Sequence, residues 1–256
     1  MPKIISRLLL SFLLFCVGIT TQAVESSRWT PYLSYYDGKE LVRDGRYLYA
    51  LMGSNLLVCD IVAKTSTPIT RISHRLARKS IAHIGFSHKR KTLVLLYDDG
   101  FVDLLRLQTG EVLHFPHLID SQKEDLVARR LRVQDDYAFV TTSKGFLWID
   151  LAQSLVRGHF DVGQCEDVAL WGTHLFAAYG GKFYHIDRRG NLNDLSQWTL
   201  ALNAHVNAIA PSAQTLFVSL DPDQGANAGL WSISAPSLQA VDNTAAQVAP
   251  SAGWQH

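Results

Sequence analysis

The sequence predicts an all-β fold, a β-propeller of four-stranded antiparallel blades with about five blades in this chain, and three observations carry the prediction. Five related hairpins recur, at residues 47–61 (YLYALMGSNLLVCDI), 92–107 (TLVLLYDDGFVDLLRL), 137–151 (YAFVTTSKGFLWIDL), 174–187 (HLFAAYGGKFYHID) and 215–233 (TLFVSLDPDQGANAGLWSI). In each, apolar and β-branched runs flank a turn that contains Gly. The hairpins lie roughly 37 to 47 residues apart, near the period of about 40–45 of a propeller blade. Their central strands are apolar at consecutive positions, as in Leu93 to Leu96 or Leu104-Leu105. Such runs suit sheets covered on both faces, whereas a half-exposed sheet alternates. A two-layer sandwich also accepts many short strands, but it does not predict one four-strand order repeated five times.

The chain opens with a secretory signal at residues 1–23. Lys3 and Arg7 form its positive n-region, residues 8–19 its apolar run and Thr21-Gln22-Ala23 its cleavage site, so the mature chain starts near Val24. Leu13-Leu14-Phe15-Cys16 departs from a lipoprotein signal, because Phe15 is too bulky before an acylated cysteine and Cys16 lies inside the apolar run. No later stretch reaches the roughly 18 apolar residues of a membrane helix. The mature chain is therefore expected to have no transmembrane segment and to be soluble or attached to a surface through partners. Residues 24–242 read as a single propeller domain and residues 243–256, rich in Ala, Gln, Pro and Ser, as a poorly ordered tail.

Residues 29–36 (WTPYLSYY) are aromatic and extended, placed to close the ring with an N-terminal strand or to cover an exposed edge. The first blade takes strands at 40–43, 47–51, 56–62 and 69–73, with turns at Asp37-Gly38, Asp44-Gly45 and Gly53-Ser54-Asn55. The second takes 80–86, 92–97, 101–107 and 111–115, followed by a charged linker at 116–124. The third takes 128–133, 137–142, 146–151 and 154–159, and the fourth 166–170, 174–178, 182–187 and a strand inside 195–199. The fifth takes 206–210, 215–220, 229–233 and 238–241. No long stretch carries a helical period between caps.

The formal charge is +1, about neutral once Lys3 and Arg7 leave with the signal, which gives no electrostatic ground for nucleic acid. Arg71, Arg75, Arg78, Lys79, Lys89, Arg90 and Lys91 form a basic stretch interrupted by apolar residues; a solvated face explains it better than an anion-binding patch. Two cysteines remain in the mature chain, Cys59 and Cys165. A disulfide is open to them in an oxidising compartment, but two buried thiols fit their apolar surroundings better.

The search for chemistry assigns no catalytic, cofactor-binding or metal-binding residue. His114 and His117 have a ligand-like spacing, but Pro116 lies between them and no acidic or thiol group completes a site. His83 and His88 flank a turn, and His159, His174, His185 and His205 fall in separate units. Asp221-Pro222-Asp223-Gln224-Gly225-Ala226-Asn227 offers oxygens about a Gly, as a calcium loop does, but lacks the bidentate Glu. No Gly-x-Ser-x-Gly elbow is present. Asp98-Asp99 sits at a hairpin tip, where Asp favours the turn and adjacent carboxylates leave no gap between acid and base. Tyr179-Gly180-Gly181 is likewise a hairpin turn and not a phosphate loop. Among the aromatics, Trp148 and Trp231 are core or inter-blade residues, while Tyr35, Tyr36 and Trp198 are weaker core candidates.

Several motifs together carry a family resemblance. Trp29-x-x-Tyr32-Leu33-Ser34-Tyr35, Tyr47-Leu48-Tyr49-Ala50, Asn55-Leu56-Leu57, Ile84-Gly85-Phe86 and residues 91–105 resemble the N-terminal β-propeller domain of the PorZ proteins of Bacteroidetes. The likeness continues through Ser143-Lys144-Gly145-Phe146 and Leu175-Phe176-Ala177-Ala178 and covers nearly all of the mature chain. The hairpin parts alone also fit the sensor propellers of gut two-component regulators. The resemblance implies a non-enzymatic interaction or scaffold propeller of type IX secretion, exported to the periplasm, the outer-membrane surface or the exterior. Its implied partners are sortase-complex proteins and anionic lipopolysaccharide, with no cofactor. Two alternatives are a periplasmic saccharide-sensing propeller and a hydrolase with dispersed catalytic residues. The hydrolase would require a cluster of His with Asp or Glu at one mouth of the ring.

Overall fold

The computed structural model describes residues 37–116, 127–221, 228–234 and 245–247. They form five four-stranded antiparallel sheets, each a meander in sequence order. The first contains β1 (Gly38–Asp44), β2 (Tyr47–Met52), β3 (Asn55–Asp60) and β4 (Thr65–Ile69), and the second β5 (Ile81–Ser87), β6 (Thr92–Tyr97), β7 (Val102–Arg106) and β8 (Val112–Phe115). The third contains β9 (Ala128–Gln134), β10 (Tyr137–Thr142), β11 (Gly145–Asp150) and β12 (Leu155–Phe160). The fourth contains β13 (Cys165–Trp171), β14 (His174–Tyr179), β15 (Lys182–Asp187) and β16 (Thr199–Leu202), and the fifth β17 (Val206–Pro211), β18 (Thr215–Leu220), β19 (Gly229–Ser234) and β20 (Ala245–Gln247).

Each sheet packs on the next through its own apolar layer. Tyr49, Leu51 and Leu56 meet Phe86, Leu93 and Leu95 between the first two sheets, and Val94, Leu96 and Leu104 meet Ala138, Val140 and Leu147 between the next two. Phe139, Phe146 and Trp148 then meet Val168, Leu175 and Ala177, and Phe176 and Phe183 meet Ile209, Leu216 and Val218. The second sheet is thus covered twice, and all six residues of β6 are buried. In β18, by contrast, half-buried and buried residues alternate one by one, the pattern of a sheet covered on one face. Consecutive apolar residues in the sequence therefore mark the inner sheets of the stack.

Two glycines allow close approaches that a side chain would block. Gly85 on β5 faces Val133 on β9, and a methyl group there would overlap the Val133 side chain. Gly145, at φ +154°, starts β11 against the backbone of Phe160, where a Cβ would stand inside the carbonyl oxygen and 2.9 Å from the carbonyl carbon. Only a residue without Cβ fits this position.

The structure moves three expected elements. The outer strand of the first sheet is Thr65–Ile69 rather than 69–73, and Arg71–His74 forms a single helical turn, α1. Thr70 caps that turn: its Oγ1 accepts from the Ser73 N–H at 3.1 Å, while Ser73 Oγ accepts from the Thr70 N–H at 2.9 Å. An outermost strand is mostly solvated, so the polar Thr65 to Thr67 fits it. In the fourth sheet a 3₁₀ turn at Leu195–Gln197 precedes the outer strand, which moves to Thr199–Leu202. The fifth sheet takes its outer strand from Ala245–Gln247, paired with Trp231 to Ile233 and beyond the boundary expected at 242. Ala-Ala-Gln carries no β-branched residue to signal a strand. Residues 29–36, 222–227 and 238–241, together with His117, lie outside the described residues.

Cys59 and Cys165 are free thiols in the first and fourth sheets, half-buried and buried respectively. Burial pushes the Cys165 thiol far above its ordinary pKa and keeps it protonated. Trp198, expected as a weaker core residue, is buried and donates its Nε1–H to the Leu192 carbonyl at 3.1 Å.

Candidate functional site on the innermost strands

The innermost strands β1, β5, β9, β13 and β17 share one irregularity. Each has a one-residue bulge near its start, at Lys39, Ala82, Arg129, Glu166 and Asn207. A bulge re-aims the residues that follow it. The next positions are Glu40, His83, Arg130, Asp167 and Ala208, and the first four carry most of the charge chemistry between sheets.

Glu40 reaches from the first sheet to the second, where His83 Nδ1 lies 2.5 Å from Oε1 and the Ile84 N–H donates to Oε2 at 2.7 Å. Asp167 does the same across three sheets. Arg130 donates to it at 2.9 Å, and Arg132 makes a two-pronged contact with Nε at 3.0 Å and Nη2 at 2.5 Å. On the other side the Ile209 N–H donates to Asp167 Oδ2 at 2.8 Å, while Arg132 Nη2 also donates to the Ile209 carbonyl at 2.5 Å. The Val168 N–H completes the set at 2.9 Å. Asp167 is fully buried, and every oxygen lone pair that matters is engaged. Such a saturated carboxylate has no capacity left to take a proton from a substrate or to bind a metal. Gln134 adds a further bridge, its amide donating to the Leu170 carbonyl at 2.6 Å and accepting from the Leu170 N–H at 3.0 Å.

A second buried carboxylate, Asp103 on β7, joins the second sheet to the connection that enters it. It accepts from the Ala77 N–H at 2.8 Å and the Tyr97 hydroxyl at 2.6 Å, and His114 Nδ1 lies 2.7 Å from its other oxygen. Burial, then the hydrogen bond to Asp103, holds the Tyr97 phenol well above the usual tyrosine range.

The histidines do not converge. His83 pairs with Glu40 on the innermost strands, His114 with Asp103 in the second sheet, and His205 with Asp221 at 3.3 Å in the fifth. Among the described residues no group of three or more His, Cys, Asp or Glu side chains is arranged to hold a metal ion. The cluster that a dispersed hydrolase needs is not assembled among these pairs.

His185 stands apart. It is buried with neither ring nitrogen partnered, stacks on Phe176 with centroids 5.4 Å apart, and faces His174 at the same separation. Burial, and secondarily His174, holds its pKa below the ordinary value. The unfolded chain therefore takes up a proton near pH ~6.5 that the folded chain refuses. Stability from this position is complete above about pH 6.5 and falls as the pH drops towards the folded pKa. We expect His185→Phe to reduce the acid sensitivity of thermal unfolding. An unchanged difference in melting temperature between about pH 7.5 and pH 5 would contradict it.

The basic stretch is divided between the two ends of the stack. The upper end carries the β2–β3, β6–β7, β10–β11 and β14–β15 tips with the connections between sheets, as in the bonds from Asp98 N to the Ser80 carbonyl and Ser143 N to the Val127 carbonyl. Here Arg78 pairs with Asp99 at 2.6 Å and lies 3.5 Å from the Phe101 ring centroid. At the lower end Lys89 and Arg90 both pair with Asp136 at 2.5 Å, and Lys91 pairs with Asp44 at 2.6 Å. Lys89 and Arg90 hold the Asp136 carboxyl below the usual range. Lys89, Arg90 and Lys91 thus tie neighbouring sheets together while staying 57%, 40% and 38% exposed, and Arg71, Arg75 and Lys79 are exposed, as a solvated face requires.

Sequence reasoning missed Glu40, Asp103 and Asp167. Their partners lie on neighbouring sheets, and the available signal was the charge run Arg129, Arg130, Arg132 in a strand that otherwise should be apolar.

A family profile described as the type IX secretion PorZ N-terminal β-propeller domain matches residues 48–199, from β2 to the start of β16. The chain belongs to this family. As a member it carries the N-terminal β-propeller domain of that family. Solved structures agree on the fold. PorZ of Porphyromonas gingivalis, described as an essential bacterial surface component of the type IX secretion system, superposes with a TM-score of 0.68 at 21% identity, covering 79% of this chain and 27% of that one. The extracellular domain of a one-component system of B. thetaiotaomicron gives 0.60 at 14% identity, covering 82% and 29%. That of a hybrid two-component system from the same organism gives 0.53 at 12%, covering 80% and 28%. The chain thus spans little more than a quarter of the length of these solved chains. No curated protein sequence matches the chain.

Proposed function

We propose that this PorZ-family domain is a docking scaffold of type IX secretion at the cell surface, contacting sortase-complex proteins or anionic lipopolysaccharide. The family match over residues 48–199 carries the reading. The buried carboxylates support it, because they are consumed in holding sheets together and leave recognition to the surface.

At the upper end, α1 offers a contact of the right kind. Its capping box fixes the turn, Arg75 ends it at φ 55°, and Ile72 stands 95% exposed between Arg71 and Arg75. A rigid exposed aliphatic residue flanked by arginines matches the composition of interface anchors. The test is a binding titration of the mature chain against sortase-complex proteins and anionic lipopolysaccharide. We expect binding to at least one, weakened about tenfold or more by Ile72→Asp with Arg75→Glu at unchanged melting temperature. Binding to neither overturns the proposal.

A further inference from the structure

The β14–β15 hairpin places His174, Phe176, His185 and Asp187 on one face of the fourth sheet, because His174 pairs with Asp187 and Phe176 with His185 across the ladder. That face turns towards the fifth sheet, where Phe176 shares an apolar layer with Ile209, Leu216 and Val218. His174 and His185 are diagonal neighbours on it, with ring centroids 5.4 Å apart and planes at 60°. We propose that these two imidazoles form a site for one divalent transition-metal ion of the copper, nickel and zinc class, with water completing the coordination.

Three observations carry this. His185 is 6% exposed, and neither of its ring nitrogens has a hydrogen-bond partner. A buried lone pair without a partner is an unmet polar group, and an ion satisfies it where the apolar neighbours cannot. Burial also keeps this ring neutral at neutral pH, the form that ligates a metal. The second observation is the separation. With metal–nitrogen bonds of about 2.0–2.1 Å, two imidazoles on one ion stand with centroids roughly 4.5–5.5 Å apart. The two rings fall inside that range although no N–H···N bond joins them. Third, the Thr173 hydroxyl lies 3.0 Å from His174 Nδ1. In the tautomer whose Nδ1–H donates to it, Nε2 keeps its lone pair for the ion, and the hydroxyl holds the ring as outer partners of ligating histidines do. Asp187, exposed and directly across the ladder from His174, adds negative charge to the same face. Among the described residues no three His, Cys, Asp or Glu side chains group around an ion, so two protein ligands give an affinity in the micromolar range and not a structural clamp.

This inference is independent of the docking role, which uses the upper-end turn α1. The test is isothermal titration of the untagged mature chain with copper, nickel and zinc chlorides in a weakly coordinating buffer, with thermal melting alongside. We expect one ion per chain to bind and raise the melting temperature, with Cu²⁺ the tightest of the three. His174→Gln and His185→Phe should each weaken binding about tenfold or more, while His83→Gln and His205→Gln leave it unchanged. The spin-resonance spectrum of the Cu²⁺ form should show two imidazole nitrogens in the wild type and one after His174→Gln. His174 is half-buried, so its variant decides the matter even if His185→Phe does not fold. Ile72→Asp should leave ion binding unchanged while weakening partner binding, so the two readings fail separately. The inference is overturned if none of the three ions raises the melting temperature or binds more tightly than about 1 mM. It is equally overturned if His174→Gln and a folded His185→Phe leave the affinity unchanged, which would assign the ion to adventitious surface histidines.

Discussion

Replacing Gly145 with alanine is expected to destabilise the protein by about 3 kcal/mol or more, a large effect for a single methyl group. The cause is local. Gly145 pairs with Thr142 across the β10–β11 hairpin, and its Cα faces the Phe160 backbone so closely that a Cβ would stand inside the carbonyl oxygen and 3.1 Å from the Asp161 Cα. Relief requires β12 to separate from β11, which costs ladder hydrogen bonds and opens the third sheet where Phe146 and Phe160 stack with centroids 5.1 Å apart. The positive φ adds strain of its own. Alanine at Gly163, whose Cβ position is open, shares a positive φ (+86°) but not the overlap, and should cost less. Thermal or urea unfolding of the two variants checks this. Equal stability of Gly145→Ala and Gly163→Ala would contradict it.

The second large effect is expected at Asp167. Removing its carboxylate with Asp167→Ala leaves two guanidinium groups and the Ile209 N–H facing each other in a largely buried site. Asp167 is fully buried but the Arg130 and Arg132 side chains are 40% and 23% exposed, so water partly compensates them and the loss is about 2–3 kcal/mol, most of it from the stranded Ile209 N–H and the lost charged hydrogen bonds. Asp167→Asn keeps an acceptor for one arginine prong and should fall between wild type and alanine. Since Asp167 connects the third, fourth and fifth sheets, the alanine variant should also lose cooperativity, with amide exchange rising first in β17. An alanine variant within about 1 kcal/mol of wild type would show that the cluster is not a structural hub.

The sequence was legible where burial is two-sided and local. Residues 92–97 read as a strand of a central blade because six consecutive buried positions can arise only when both faces are covered. Outer strands were less legible. Thr65 to Thr67 are solvated and carry no apolar period, so the eye moves to Ile69 and overshoots into α1. Yet Thr70 and Ser73 are spaced as a capping box, a helix signal that was present in the residues themselves. Asp60, Asp150 and Asp187 each end a third strand and accept backbone N–H groups of the following turn, a repeat carried by one residue per hairpin. The hub at Asp167 was not legible at all. Arg130, Arg132 and Ile209 lie 37, 35 and 42 residues away, and only the stacking of sheets brings them to one carboxylate.

The same geometry bears on function. His83, His114 and His205 pair one to one with Glu40, Asp103 and Asp221 at separate places, which is how polar groups are used when they hold a scaffold together. On the proposed reading, recognition falls to surface features such as the exposed Ile72. The proposed function holds that the domain works in secretion by contact and not by chemistry. It is tested most directly in cells that lack the chain, by restoring it as wild type, as the Ile72→Asp, Arg75→Glu variant, or with His83 and His205 replaced by glutamine, and following the processing and surface attachment of cargo. The account predicts that the α1 variant fails to restore attachment although it folds, while the histidine variant restores it. Full restoration by the α1 variant together with failure of a folded histidine variant would contradict it.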